Sequence, residues 1–465
     1  MASSNFSHKP KKVKKVKTQY RKISTKLPVP ESISILKRVY ETESRSMHGQ
    51  IPVIWDRAEG FQVYDKWGNK WLDFSSTIFV ANAGHSNKRI VDSLKKVLSK
   101  PLLQTYNYIS IERFKYLDYL IKITPDYFEK AYMLSAGTEA TGAILKLMRL
   151  YGLKYNNKKK GIICFEGNWH GRTMGAQMMG WNPSQKEWIG YLDPNIYHIP
   201  FPYKERINKI NNSKKYLLDS LNELFEKNNI DPKIDICGVM METFQGWGAC
   251  FYPVDYVKEI SNFCKENNIL LGFDEMQAGF GRTGELFGYM HYKVQPDIIA
   301  CGKGASSSLP LSLVLGSKEI MDLPEMGSMS STHSANPMVC AAGHANLEAL
   351  INDGLILNSK KLGIKFHNEL IKIKKIYSGY ISDINGIGLL AAVIFNDINQ
   401  NPLINLCDLI CEKCFQKGLL VVHTGRESIK LAPPLIINED AMLEGISVFK
   451  EAIEESIKEI YGNKY

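Results

Sequence analysis

The spacing of apolar residues changes several times along the chain, and each change predicts an element. GFQVYDKWGNKWLDF (60–74) alternates apolar and polar positions about a Lys-Trp-Gly-Asn turn. This predicts a hairpin in which Phe61–Asp65 returns as Lys70–Phe74. EATGAILKLMRLYG (139–152) has helical spacing and predicts a helix that stops at Gly152. GIICF (161–165), DICGVMME (235–242), ILLGF (269–273) and DIIACG (297–302) are short apolar runs bounded by turn residues, the mark of buried parallel strands. Strands alternating with helices imply an α/β domain whose doubly wound, mostly parallel sheet has helices on both faces. Past about residue 340 the texture changes. Helical stretches at 339–351, 359–375, 403–417 and 438–460 flank short strands such as GLLAAVIF and GLLVVH, a smaller α+β domain. The expected layout is a disordered tail (1–30), a segment packing with the small domain (31–84), a large domain (85–338) and a small one (339–465).

Composition adds little until charge is located. The 465 residues suffice for two or three full-sized cores, and the formal net charge is +10. Residues 1–30 hold nine Lys and Arg and no acid, while the remainder is nearly balanced at 49 basic and 48 acidic groups. The stretch SHKPKKVKKVKTQYRKISTK is polar and self-repelling, so disorder is expected, and contact with nucleic acid or anionic membrane is confined to it. No apolar run reaches the length of a membrane span, and no secretory leader is visible. Nine cysteines show no disulfide-framework spacing, which places the protein in a reducing, cytoplasmic setting. Cys407, Cys411 and Cys414 have iron–sulfur-like spacing, yet i, i+4, i+7 is also one face of a helix, and no metal site is expected.

Candidate chemistry sits at the strand ends. FDEMQAGFGRTG contains Gly279-x-Gly281-x-x-Gly284, which matches a dinucleotide fingerprint as a string. A true fingerprint comes directly after a strand and opens a helix. Here five residues intervene after Phe273, and the stretch beyond Gly284 is a poor helix. Asp274 is more informative. An acid where an apolar strand runs out is either a helix cap or a charge facing a ligand, since open α/β sheets bind ligands beyond their strands' carboxyl ends. The next strand ends in a glycine turn with Lys303, and DICGVMMETFQG presents Glu242 and Gln245. An acid, a lysine and an amide on one rim suit a cofactor with a carbonyl carbon and a basic nitrogen. Pyridoxal phosphate meets that description: lysine forms a Schiff base with its aldehyde, and a carboxylate keeps its pyridine nitrogen protonated. Gly137 and Thr138, at the start of an amphipathic helix, offer the amides a phosphate needs. Trp169 offers a ring to cover the cofactor.

Eight ordered blocks, among them SAGTEATGAILKLMR, GNWHGRT, FDEMQAGFGRTG, PDIIACGKG and STHSANPMVCAA, give the chain a resemblance to class III aminotransferases, the ornithine/4-aminobutyrate type, over about residues 50–455. The resemblance implies fold type I and pyridoxal-phosphate-dependent transfer of an amino group from an amine or amino acid to a keto or aldehyde acceptor. By resemblance, Lys303 is the Schiff-base lysine and proton shuttle, and Asp274 pairs with the pyridine nitrogen. Glu242 holds Asp274, Gln277 meets the ring hydroxyl, and Trp169 stacks on the ring beside His170. Thr332 reaches the phosphate from a partner subunit, which makes a homodimer necessary. Lys430, Trp247 and Ile78 are the implied substrate contacts. Lys430 stands where many relatives carry a carboxylate-gripping Arg, and Trp247 where many carry Glu. Lysine is a point charge on a flexible stem rather than a bidentate fork, so the expected substrate is an amine-bearing or unusual amino acid. The same scaffold also supports mutase, racemase, decarboxylase or lyase chemistry, none of which needs a second carbonyl substrate. A non-catalytic protein tethered to a polyanion by its tail is the remaining alternative.

Overall fold

The runs that read as buried strands form one sheet. The computed structural model describes residues 6–462. Seven strands make the sheet of the larger of two units: β1 (Lys130–Leu134), β2 (Gly161–Phe165), β3 (Ile196–Ile199), β4 (Ile236–Glu242), β5 (Leu270–Asp274), β6 (Ile298–Cys301) and β7 (Ser312–Gly316). Their spatial order is β1-β7-β6-β5-β4-β2-β3. The run from β6 to β3 is parallel, and β7 lies antiparallel to both neighbours. β2, β4, β5 and β6 are buried throughout, as a sheet covered on both faces requires. Helix α1 (Gly137–Tyr155) lays Ile144, Leu147 and Met148 on Ile162, Met240, Leu270 and Ile298. Each such side chain contributes about 1.5–3 kcal/mol by leaving water.

This unit comprises Lys88–Gly246 and Cys250–Gly354, and the other comprises Met1–Asn87, Trp247–Ala249 and Leu355–Tyr465. The larger unit thus extends to residue 354 rather than the expected 338. The reason is α2 (Pro337–Asn352), a helix rich in small residues and buried on most sides, which packs on the helices Lys88–Ser99 and Ile111–Ile123. The texture change near 340 marked a helix, not a boundary.

The smaller unit holds two sheets. The hairpin Gln62–Tyr64/Lys70–Asp73 pairs Gln62 with Leu72 and Val63 with Trp71. Ile381–Asn385, Ala391–Phe395, Ser428–Leu431 and Val422–His423 form the second sheet. On α3 (Ile404–Gln416) Cys407, Cys411 and Cys414 share the buried face, and burial raises all three thiols well above their ordinary pKa. Among the described residues no group of three His, Cys, Asp or Glu is placed to hold a metal ion, and no helix is long and apolar enough to cross a membrane.

Of the tail expected to be disordered, residues 1–5 lie outside the described residues, and most of the rest is ordered. From residue 11 to 29 it takes one defined path over the smaller unit. Val16–Lys17 and Lys22–Ile23 form a short hairpin, and Lys22 pairs with Lys70 on the adjoining strand. Ile23, Leu27 and Val29 are buried with Trp71 and Phe415, and Val13 and Val16 pack on that cluster. Arg21 Nε donates to Glu444 at 2.6 Å, and Lys11 pairs with Glu412 at 3.0 Å. Disorder results from having nothing to bury; here a few interspersed aliphatics suffice because the surface they meet is preformed.

Helix α1 also runs three residues past its expected stop. Gly152 sits within it because a Cβ there would lie 2.0 Å from the Lys159 carbonyl oxygen and 2.6 Å from Cys237 Cβ. The glycine serves close packing, not termination. Gly152→Ala should therefore lower the thermal midpoint, since overpacking against backbone costs about 1–3 kcal/mol and outweighs alanine's helix preference of ~1 kcal/mol. An unchanged or higher midpoint would show that the Lys159 turn yields freely.

Candidate active site

Register brings the chemistry together. β4 ends at Glu242, β5 at Asp274, and Lys303 comes two residues after β6. Asp274 is paired laterally with Glu242 on one side and Ala300 on the other. Beyond these strand ends lies a cavity of about 450 Å³, and Asp274, Glu242, Gln277 and Lys303 line it. Across it stand Gly137 and Thr138 of α1, with Trp169 and His170 from the loop after β2.

Asp274 is buried and held from two directions. Its Oδ1 accepts from the Met276 amide at 3.0 Å, and its Oδ2 lies 2.9 Å from His170 Nδ1. His170 Nε2 is 3.0 Å from the Asn168 amide nitrogen, which can only donate. Nε2 therefore accepts, Nδ1 carries the proton, and His170 donates it to Asp274. His170 thus helps hold Asp274, and Glu242 Oε2 accepts from the Trp169 backbone amide at 3.2 Å, fixing the indole's loop.

Lys303 sits at φ 45°, a left-handed conformation that L-residues adopt at a steric penalty and that recurs at functional sites. Burial lowers its pKa from the ordinary lysine value, and the charges of Asp274 and Glu242 oppose that shift.

The GFGRTG stretch is a turn that returns to β5. Gly281 and Gly284 adopt φ 87°, open to glycine without strain. Glu275, facing away from Asp274 along the chain, accepts from the Gly288 amide at 2.8 Å, the Tyr289 amide at 2.7 Å and the Thr243 hydroxyl. Burial raises its pKa to about 7 against those donors. The far end of the turn is thereby clamped beside the residue that faces the cavity.

The amides of Gly137 and Thr138 make no hydrogen bond among the described residues, so the first turn of α1 presents free donors to the cavity. Thr138 Oγ1 accepts from the Thr173 amide at 3.1 Å, tying the Trp169 loop to that helix end.

Thr332, expected to act on a partner subunit's phosphate, is exposed on the loop before α2. Ile78, Trp247 and Lys430 belong to the smaller unit. There Lys430 Nζ lies 4.6 Å from the Phe79 ring centroid, and Arg426 stacks on Trp247 at 3.9 Å. Ile78 is exposed on a turn in which Ser76, Thr77, Ile78 and Phe79 all have φ between 46° and 68°. Arg172 was not singled out from the sequence. It lines the cavity, its guanidinium carbon is 4.5 Å from the Trp169 ring centroid, and it makes no ion pair among the described residues. Its signal was its place in GNWHGRT, three residues after a tryptophan expected to face a ligand.

A lysine amine, a buried carboxylate, a free helix N-terminus and an indole around one cavity fit the aldehyde, ring nitrogen, phosphate and ring face of pyridoxal phosphate. The comparisons with known proteins agree with the class of enzyme this defines. Residues 44–453 match the family described as Aminotransferase class-III, and the chain belongs to that family, whose members are pyridoxal-phosphate-dependent enzymes of fold type I. It is 31% identical to the acetylornithine aminotransferase of Clostridium acetobutylicum, over 88% of this chain and 98% of that one. It is 28% identical to the alanine/serine racemase of Pyrococcus horikoshii, over 97% and 96%. Among solved structures, the acetylornithine aminotransferase of Elizabethkingia anophelis superposes with a TM-score of 0.74 at 28% identity, covering 91% and 99%.

The lowered pKa of Lys303 has a sign that can be tested on cofactor-free protein. Its free-amine fraction exceeds that of a surface lysine at every pH below the ordinary value of 10.5. Its rate of reductive labelling should therefore level off at lower pH than that of the exposed lysines, read by peptide mass spectrometry. Coincident profiles would mean that Asp274 and Glu242 cancel the desolvation.

Proposed function

We propose that Lys303 holds the cofactor and moves the proton in transfer of an amino group from an amino-acid donor to a keto or aldehyde acceptor. The observation that carries this reading is the shared cavity of Lys303 and Asp274 beyond adjacent strand ends. When bound, pyridoxal phosphate supplies the electron sink for the substrate's α-carbon. The chain supplies the rest. Lys303 Nζ, whose charged form burial disfavours, would remove a proton at the substrate carbon and return it, a positioned transfer that contributes about 10²–10⁴-fold. Asp274 holds positive charge on the ring nitrogen, and the His170 proton keeps Asp274 an acceptor in the right orientation. Gly137 and Thr138 would hold the phosphate, Gln277 the ring hydroxyl, and Trp169 would cover the ring.

Arg172 supports a carboxylate-bearing donor, because it brings an unpaired guanidinium to the cavity lining. Lys430 where many relatives carry a carboxylate-gripping Arg, and Trp247 where many carry Glu, support a donor that differs from glutamate. A homodimer is part of the reading. It is supported by Thr332, exposed rather than turned to its own cavity, and by the exposed apolar run that includes Tyr108, Ile109, Ile111 and Phe114. Nine unpaired cysteines suit a reducing compartment such as the cytoplasm. Racemisation on the same residues is a second reading, favoured by the racemase relative that matches almost the whole chain.

Single donors mixed with the holoenzyme separate the two. Amino transfer converts the cofactor to its aminated form, seen by absorbance, and needs an acceptor to turn over; racemisation inverts one amino acid with no acceptor and leaves the spectrum intact. Lys303→Ala should lose at least about 10²-fold in turnover and form no borohydride-stable lysine adduct. Full activity in that variant would refute the assignment. Arg172→Gln should raise KM for amino-acid donors about tenfold or more while leaving cofactor content unchanged. A proportionate loss of cofactor would make Arg172 a structural residue instead.

A further inference from the structure

The lysines of the amino-terminal segment are held in place without being neutralised. The segment intersperses anchors and charges: Val13 and Val16 pack on the core around Trp71, while the neighbouring Lys12, Lys14 and Lys15 are exposed. Lys11 and Leu27 exchange two backbone hydrogen bonds, at 2.9 and 3.0 Å, and the Tyr20 carbonyl accepts from Gln62 Nε2 at 2.8 Å. Lys12, Lys14 and Lys15 themselves make no hydrogen bond or ion pair among the described residues.

These three lysines border a cleft of about 450 Å³ whose opposite wall is α3's end and the carboxyl-terminal helix α4 (Glu439–Tyr461). That wall brings Lys417, Glu451 and Glu455, and Arg21 closes one side. Most of the wall's charge is already spent internally. Lys417 Nζ is 2.7 Å from Glu455 and 3.6 Å from Glu451, and Arg21 bonds Glu444 and the Lys417 carbonyl. The cleft thus has five cations against two carboxylates, with the uncompensated charge concentrated in Lys12, Lys14 and Lys15. A concave site lined by one sign of charge focuses potential and concentrates counter-ions. Three point-charge donors spaced over four residues suit an anion with several phosphoryl oxygens rather than a single planar carboxylate.

We propose that this cleft is a binding site for a polyphosphate-bearing small molecule, separate from the cofactor cavity and carried wholly by the smaller unit. Its ordering of residues 11–29 is already in place, so binding needs no folding step. The probe is inorganic tripolyphosphate, titrated calorimetrically into the holoenzyme, whose own phosphate site is filled. The expected result is one site per chain with an unaltered cofactor spectrum. Affinity should fall at least tenfold in Lys12→Gln/Lys14→Gln/Lys15→Gln and be retained in the matching Lys→Arg variant. Raising salt should weaken binding, because these charges are exposed. Glu451→Gln should tighten it. The glutamine variant's amino-transfer activity without probe should match the parent's, as the three exposed side chains make no hydrogen bond or ion pair among the described residues. Absence of binding, equal binding by parent and glutamine variant, or a changed cofactor spectrum would overturn the site. So would capture of a short oligonucleotide or of anionic-lipid vesicles that tripolyphosphate does not displace, which would make the segment a macromolecular contact.

Discussion

One amine held out of water beside two carboxylates is the constraint on which the cofactor cavity depends. Desolvation makes Lys303 a better nucleophile by disfavouring its charge; Asp274 and Glu242 restrain that shift so the amine stays within reach of protonation. The balance needs the three groups at fixed separation. Parallel register supplies it, because β4, β5 and β6 end at nearly the same level and their side chains emerge on one rim. A slip of one residue in β5 would turn Asp274 to the opposite face.

The surroundings of Asp274 show how that position is kept. Its neighbour Glu275 points the other way and clamps the return of the GFGRTG turn, while Thr243's backbone amide donates to the Asp274 carbonyl at 3.2 Å. His170 reaches in from the loop after β2 and is itself oriented by Asn168. Backbone, turn and imidazole thus fix the carboxylate independently. The glycines that mimic a dinucleotide motif belong to this support.

The amino-terminal segment obeys a different logic. Its net charge argues for solvation, and its valines and Leu27 are too few to fold alone. They need only dock, however, because Trp71, Phe415 and Leu420 already present an apolar surface. Charge and anchoring then coexist: the aliphatic positions are consumed by the fold and the lysines are left facing a cleft.

Much of the cofactor cavity was legible in the chain. Apolar runs of strand length, each ending in Asp, Glu or a Gly-Lys turn, announce a sheet whose rim is charged, and order along the chain places those ends side by side. A helix start at Gly137 and a tryptophan after a strand are equally local signals. Tertiary structure was needed for anything set by approach between distant segments. Gly152 reads as a stop until Lys159 is seen against it, and α2 reads as a new domain until its small residues are packed. The charged segment reads as disordered until its partner surface exists, and Arg172 is one basic residue among many until Trp169 lies beneath it. Sequence period reports which face of an element avoids water; which other element covers that face is decided only when the chain closes on itself.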